Sequence, residues 1–287
     1  VSFAAGIDVG GTKCLGVLVD PDGRVVKEVR KPTPVAELLV ATLAEIVQEL
    51  GEHSSVGVGV PGLISREGVI RSSPNMSTAI EFPVRDLLED ALGERVWCDN
   101  DATCAALAEW QRGAGVGSRD MWMITLGTGI GGGLVAGGAL QHGAHGHAGE
   151  VGHMVVQADG VACPCGQRGC WERYASGAGL SMLAKGISGE EVIAQARSGD
   201  KASNQAIEHF SQWVAIGLAN IANMSDPDTI VIGGGVMTNA DLLLPLIQQR
   251  FSALLYAPSH RVHPVLRSAQ LGEQAGAIGA ALLHLHD

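Results

Sequence analysis

The chain has 287 residues, 46% of them hydrophobic, with 30 acidic against 19 basic side chains and a formal charge of -11. That length supplies one large core or, more readily, two domains of ordinary size. The acidic balance, with no basic stripe, argues against a nucleic-acid partner, so any phosphate has to be gripped locally rather than by a general positive field.

Glycine is the compositional outlier at 40 residues, about twice the usual share. Glycines are expected at strand ends, where backbone turns tightly or approaches a ligand. Of six cysteines, Cys14, Cys98 and Cys104 are isolated, while Cys163, Cys165 and Cys170 crowd into one short segment. No signal peptide precedes the first expected strand, and the most apolar stretch, 124–140, is broken by glycines and makes a poor membrane span. A reduced, cytoplasmic protein with no membrane contact is expected, in which clustered thiols point to metal rather than disulfides.

Residues 3–9 read as a buried strand, 14–19 as its return after a Gly10-Gly11 turn, and 24–30 as a third strand. Helical spacing of apolar residues covers 35–50, and 55–60 is a strand ending at Pro61-Gly62. A helix at 83–92, a strand at 95–98 and a helix at 101–111 follow, with 113–118 as a hinge. The pattern then restarts with a strand at 121–126, a glycine turn, and a returning strand at 131–136. A polar excursion with His and Cys runs over 141–170. Helices are expected over 172–184, 189–197 and 202–224, then a strand at 229–232 ending in three glycines. A further helix, a strand at 261–266 and a helix over about 272–284 close the chain. Strand, glycine turn, strand thus occurs twice, which is weak internal duplication at the scale of a fold. Two facing α/β halves would set both turns on one cleft.

Three glycine turns are candidate phosphate cradles. Asp8-Val9-Gly10-Gly11-Thr12-Lys13 places an acid at a strand end and then a turn without side-chain bulk, where backbone N–H groups can face an anion. Thr12 adds a hydroxyl, Lys13 a charge, and Asp8 a ligand for Mg²⁺. It has neither Walker A nor dinucleotide-fingerprint spacing. Gly127-Thr128-Gly129 and Gly233-Gly234-Gly235 are the second and third. Each alone is weak; together they fit a nucleotide held between two lobes.

Asp99-Asn100-Asp101 follows a strand and opens a helix. Asp101 can accept a hydroxyl proton, or it can simply cap the helix. The helix N-terminus favours its ionised form and would make it a weak base. His153 with Cys163, Cys165 and Cys170 makes a closed tetrahedral set suited to structural zinc, flanked by Glu150 and Glu172. The nitrogen of His153 not on the metal is left for a partner such as a substrate hydroxyl. His142, His145 and His147 read as solvated loop residues rather than a second metal site.

On these motifs the chain resembles the ROK family (repressors, open reading frames, sugar kinases), close to its bacterial glucokinases. The matching segments are 8–13, 99–102, 126–133, 150–153, 163–172 and 232–235. The resemblance implies an α/β, two-lobed actin/hexokinase-like (ribonuclease H-like) fold with an interdomain cleft. Residues 1–115 form the smaller lobe, rejoined by a C-terminal helix at about 272–287, and 116–271 the larger. It implies ATP-dependent phosphorylation of the 6-hydroxyl of glucose, with Asp101 as base. Gly62, Asn75, Asn100, Asp101, Glu150, His153 and Glu172 are expected at the sugar. Asp8, Gly10, Gly11, Thr12, Lys13, Thr128, Gly129 and Gly234 are expected around ATP and Mg²⁺. His153, Cys163, Cys165 and Cys170 are expected on structural Zn²⁺, in a homodimer or homotetramer. The family's usual Glu before Asn-Asp is Asp99 here, and the loop after Ser73 lacks an aromatic common in glucokinases. The alternatives are kinases for N-acetylmannosamine, N-acetylglucosamine, mannose or fructose, or a sugar-sensing regulator. The last is disfavoured because the chain opens directly on a strand, with no basic recognition helix. Polyphosphate as donor is disfavoured by the cysteine cluster.

Overall fold

In the computed structural model, which describes residues 2–73 and 79–286, the chain builds the same sheet twice. The first begins with an antiparallel meander of β1 (Ala4–Val9), β2 (Lys13–Val19) and β3 (Val25–Pro32). After α1 (Leu39–Leu50), β4 (Ser55–Val60) returns parallel to β1. The small pair β5 (Leu63–Ile64) and β6 (Ile70–Ser72) and then α2 (Val84–Leu92) precede β7 (Val96–Asn100), which runs parallel to β4. α3 (Asp101–Arg112) follows without a loop. The second sheet repeats the order with β8 (Met121–Leu126), β9 (Ile130–Ala136) and β10 (Ala139–Gln141). The long excursion ends in α4 (Glu172–Ala175), α5 (Gly177–Leu183), α6 (Gly189–Arg197) and α7 (Lys201–Ser225). β11 (Thr229–Gly233), α8 (Ala240–Leu254), β12 (Val265–Ser268) and α9 (Ala275–Leu282) complete the chain.

The strand orders are β3-β2-β1-β4-β7 and β10-β9-β8-β11-β12, identical in topology, so the duplication is real at the level of the fold. Central strands such as β4 and β11 are buried along their whole length, as parallel strands covered on both faces must be. The edge strand β3 is instead exposed or half-buried at every position. Helices α1 and α2 cover the outer face of the first sheet and α4 to α8 that of the second. Between the sheets lies a layer of α3 and α9.

That middle layer explains many of the glycines. Every residue of α9 is buried. A Cβ on Gly279 would lie 1.7 Å from the Cys104 carbonyl of α3, and one on Gly57 1.9 Å from the Ala280 carbonyl of α9. These glycines sit inside strands and a helix, where backbones touch, rather than at the strand ends expected from composition.

Other expectations are corrected locally. The single helix expected over 172–184 is two, because Ser176 is extended and its hydroxyl caps α5 by accepting from Gly179 N–H at 3.2 Å. β12 starts at Val265 rather than 261, directly after Pro264, which has no N–H for a ladder. The last helix is shorter than 272–284, with tight turns at each end. The strand expected at 95–98 runs on through Asn100, so β7 delivers Asp99 and Asn100 directly to the start of α3.

The two segments that connect the sheets meet at one buried carboxylate. Glu109 is 0% exposed. One of its oxygens accepts from Ala114 N–H at 2.7 Å, on the outgoing segment. The other accepts from Gln270 and Leu271 N–H, both at 2.8 Å, on the returning one. Trp110 Nε1 donates to Ser118 O at 2.9 Å and Arg267 to Ala114 O at 2.7 Å, tightening the same crossing. Stranding three buried donors is costly, so Glu109→Ala should lose about 3–5 kcal/mol of stability. Glu109→Gln, which turns an NH₂ towards Ala114, should lose about 1–3 kcal/mol. Chemical denaturation of the two variants checks this, and an unchanged midpoint in both would show the clasp to be idle.

Candidate functional site

The site forms where the carboxyl ends of β1, β7 and β8 converge, the usual position for a ligand in sheets of this kind. Asn100 ends β7 and caps α3: its Oδ1 accepts from Ala102 N–H at 2.9 Å and Thr103 N–H at 3.1 Å. Its Nδ2 donates to Gly62 O at 3.0 Å, which brings the Pro61-Gly62 turn to the site. One amide hydrogen of Asn100 remains for a ligand. The cap is therefore Asn100, and Asp101 is free for other work. Asn75 lies outside the described residues.

Asp101 is not the weak base expected from its place at a helix N-terminus. Its carboxyl accepts from Ala102 N–H at 2.8 Å, which favours ionisation. Enclosure by protein and the negative charge of Glu150 outweigh that bond and raise its pKa to about 6. Asp8 is pushed up further, to about 7, by burial and by Asp101, against the pull of Lys13. Burial also raises the Glu150 pKa, with Glu172 adding to the rise and His153 opposing it. Asp8, Asp101, Glu150 and Glu172 thus form one chain of interacting carboxylates. Three of them, Asp8, Asp101 and Glu150, are raised by burial and by a neighbouring negative charge, and acids so placed are poised for a cation and for proton transfer.

Glu172 joins the carboxylates to the cysteines. Its Oε1 lies 3.5 Å from Cys163 Sγ and 4.0 Å from His153 Nδ1, while Glu150 Oε2 lies 4.0 Å from His153 Nε2. Its Oε2 accepts a long bond from Ile130 N–H at 3.4 Å, and a Cβ on Gly129 would come within 2.7 Å of it. The second glycine turn and the cysteine loop therefore share one carboxylate.

His153, Cys163, Cys165 and Cys170 place their donor atoms within 4.8 Å of one another. Cys165 and Cys170 sulfurs are 3.6 Å apart, and Cys163 Sγ is 3.9 Å from His153 Nδ1. Thiolates held at about 2.3 Å around a tetrahedral zinc stand about 3.8 Å apart, so the cluster has the size of that ion. Gly166 (φ 93°) and Gly169 (φ 76°) turn the chain back on itself. The cluster is bolted to the second sheet's core by Trp171, which is 0% exposed and donates from Nε1 to Trp213 O at 2.7 Å. Cys170 and Glu172 flank it in sequence, so one anchored ring positions both.

The three glycine turns behave differently. In the first, Gly10 N–H bonds Lys13 O at 2.9 Å, and Thr33 Oγ1 donates to Gly10 O at 2.6 Å. Lys13 itself is held by Glu273 at 2.5 Å, a partner 260 residues away that sequence spacing does not reveal. Glu273 is held at about 2 by Arg30 and Lys13. In the third turn Gly234 (φ 88°) could carry no side chain: a Cβ would sit 2.4 Å from Leu126 O at the end of β8, beside Thr128 and Gly129. Gly177, at the start of α5, donates to Gly127 O at 2.8 Å and completes this wall. Gly276 of α9 lies so near Asp8 that a Cβ would be 2.7 Å from its carboxyl carbon. Sequence reading missed Gly177, Glu273 and Gly276, because only tertiary packing brings them in. A recess of about 720 Å³ between α2 and β7 holds none of these groups. No helix among the described residues is long and apolar enough to cross a membrane.

The model of the ROK family matches residues 4–287. A glucokinase of Streptomyces coelicolor is 34% identical over 308 aligned positions, covering 98% of this chain and 97% of its own. An N-acetyl-D-glucosamine kinase of Salmonella gallinarum is 35% identical, covering 98% and 99%. Among solved structures, a ROK family glucokinase from Streptomyces griseus in complex with glucose and AMPPNP superposes with a TM-score of 0.90 at 35% identity, covering 98% of this chain and 99% of that one. With the duplicated sheets, the two-lobed actin/hexokinase-like fold and this match over nearly its whole length, the chain belongs to the ROK family.

Proposed function

We propose that the chain is a hexose kinase that transfers the γ-phosphoryl group of ATP to the 6-hydroxyl of glucose. The observation that carries this reading is the run of four interacting carboxylates with His153, set between glycine turns and the cysteine cluster. The sugar lies in the cleft with O6 towards Asp101. Glu150, Glu172, His153, Gly62, Asn75 and Asn100 read the other hydroxyls. A pKa near 6 leaves Asp101 ionised at neutral pH yet more basic than an ordinary aspartate, suited to taking the O6 proton as that oxygen attacks phosphorus. Phosphoryl transfer has a loose transition state, so positioning does most of the work. The turns at Gly10 to Lys13, Thr128-Gly129 and Gly234 hold ATP, with Lys13 exchanging Glu273 for phosphate. Bound Mg²⁺ neutralises phosphate charge, and the raised Asp8, beside a second carboxylate, has the chemistry of its ligand. In the cysteine cluster Zn²⁺ fits the donor set and spacing; it would fix His153 Nδ1 and leave Nε2 to the sugar side, facing Glu150.

Residues 1–115 with 272–287 form one lobe under this proposal and 116–271 the other, supported by α9 packing on β1 and β4. Closure of the lobes would expel water that otherwise hydrolyses ATP. A homodimer or homotetramer is the assembly we expect, measurable by sedimentation.

N-acetylglucosamine is the second reading, favoured by a kinase for that sugar at 35% identity, level with the glucokinases. ADP release across a hexose panel, with ATP and polyphosphate as donors, decides it. Glucose with ATP should give the highest kcat/KM. Preference for N-acetylglucosamine would replace glucose, and release with no hexose preferred would overturn the kinase reading.

A further inference from the structure

The sequence marks His142 as a solvated loop residue, and its position is otherwise. Its Nε2 meets Asp99 Oδ2 at 2.7 Å, with the His side chain 30% and the Asp side chain 11% exposed. The other oxygen of Asp99 accepts from Asn100 N–H at 2.7 Å. Asp99 is thus gripped between the imidazole and the backbone that leads to Asn100 and Asp101. His142 begins the loop that ends at Glu150, and that loop is closed on itself by Ala148 N–H donating to His142 O at 3.0 Å. A second tie crosses beside the first: the Arg66 guanidinium donates to Gly143 O at 2.7 and 3.2 Å. At its far end the loop rests on β9, where a Cβ on Gly149 would lie 2.3 Å from Gly132 O. The loop therefore spans the two sheets, and His142 is the side chain that pins it to the strand that leads into the proposed base.

We infer that His142 is a positioning residue, holding the 141–150 loop against β7 so that Glu150 meets the sugar in register with Asn100 and Asp101. This rests on the hexose-kinase reading. The imidazole touches no reacting atom in that scheme; it acts through Asp99 and the loop. Without it Asp99, which is only 8% exposed, would be left as a buried carboxylate short of a partner and would draw on its neighbours. Two charged groups from other elements bear on His142: Asp99 at the end of β7, and Arg66 in the turn after β5. The bond to Asp99 wins over burial and Arg66, and the pKa of His142 stands above its usual value. A raised folded pKa means that the ionic pair is complete at low pH and loses its charge as pH rises through that value. Glucose KM should accordingly climb on the alkaline side.

Three variants test this. His142→Ala should raise glucose KM roughly tenfold while kcat and the KM for ATP stay within about threefold, the pattern of lost uniform binding. His142→Gln keeps a neutral donor and should restore most of the glucose KM, but it should lack the alkaline rise in glucose KM that the wild type shows. Asp101 and Asp8 titrate in both proteins, so the difference between wild type and His142→Gln isolates the pair. Should His142→Ala not fold, the Gln profile decides alone. Wild-type glucose KM in the Ala variant, an equal loss in kcat and in ATP KM, or an unchanged alkaline rise in the Gln variant would overturn the inference. Imidazole titration by NMR gives a readout independent of turnover: His142 should titrate above the usual value in wild type and drop in Asp99→Asn. If the wild type phosphorylates no hexose, the kinase reading fails, and the pair then stands or falls on that titration; an ordinary His142 pKa overturns it.

Discussion

Asp101→Ala is expected to lower kcat with glucose by about 10³–10⁴-fold while calorimetric glucose affinity changes little. The reason is geometric. The proposed hydroxyl-reading groups, Glu150, Glu172 and His153, hang from the excursion after β10, and the cap of α3 is made by Asn100 rather than by Asp101. Losing the carboxylate removes the proton acceptor without dismantling the sugar cradle. Turnover retained in this variant would take Asp101 out of the role. In wild type, kcat/KM for glucose at saturating Mg-ATP should fall as pH drops through about 6, where Asp101 takes up its proton.

The same shift predicts a trade of stability for activity. The folded pKa of Asp101 exceeds the unfolded value, so the folded state binds more protons between the two and loses stability as pH rises through that window. Asp101→Asn keeps an oxygen for Ala102 N–H and never ionises. Free of ligands at pH 8, it should be more stable than wild type, on the order of 1–3 kcal/mol. A melting temperature equal to or below that of wild type would show that the carboxylate is not held against its charge.

Disrupting the cysteine cluster, and with it the proposed zinc site, should have the second large effect. Cys165 is the informative position because it is the exposed member, whereas Cys170 is 0% exposed and its loss would confound metal with packing. Cys165→Ser should lower the metal content from one zinc per chain to near none. It should reduce the melting temperature by roughly 10 °C, because a closed ligand set contributes its binding free energy to folding. Glucose KM should rise at least about tenfold, since the ion would orient His153 and, through Cys170 and Trp171, Glu172. Elemental analysis with steady-state kinetics checks both; a variant with full zinc and unchanged KM would refute the assignment.

Much of this site is legible in the linear chain because its parts are local. The turn Gly10 to Lys13, the pair Asn100-Asp101 and the segment Cys163 to Glu172 are each contiguous, and each carries its chemistry in residue type and spacing. The duplicated strand–turn–strand pattern is legible for the same reason: each sheet begins with hairpins whose register is set by short connections. Local patterns also explain the errors. The break at Ser176 is a side-chain cap, and the late start of β12 follows a proline; both signals stand in the sequence and were outweighed by apolar periodicity.

Residue types in short runs determine which groups can bind phosphate, metal and sugar, and in which segments they lie. Only the folded chain decides which of them act on one another. Asp8 and Asp101 are 93 positions apart, Lys13 and Glu273 260, and His142 and Asp99 43, yet each pair shares a charge or a bond. The physical reason is that a pKa and an ion pair depend on distance and burial, and both are set by how segments far apart in the chain pack together. A sequence records no such distance. Spacing therefore ranks Asp101 as a weak base at a helix end and His142 as a bystander, whereas burial raises the first and Asp99 binds the second.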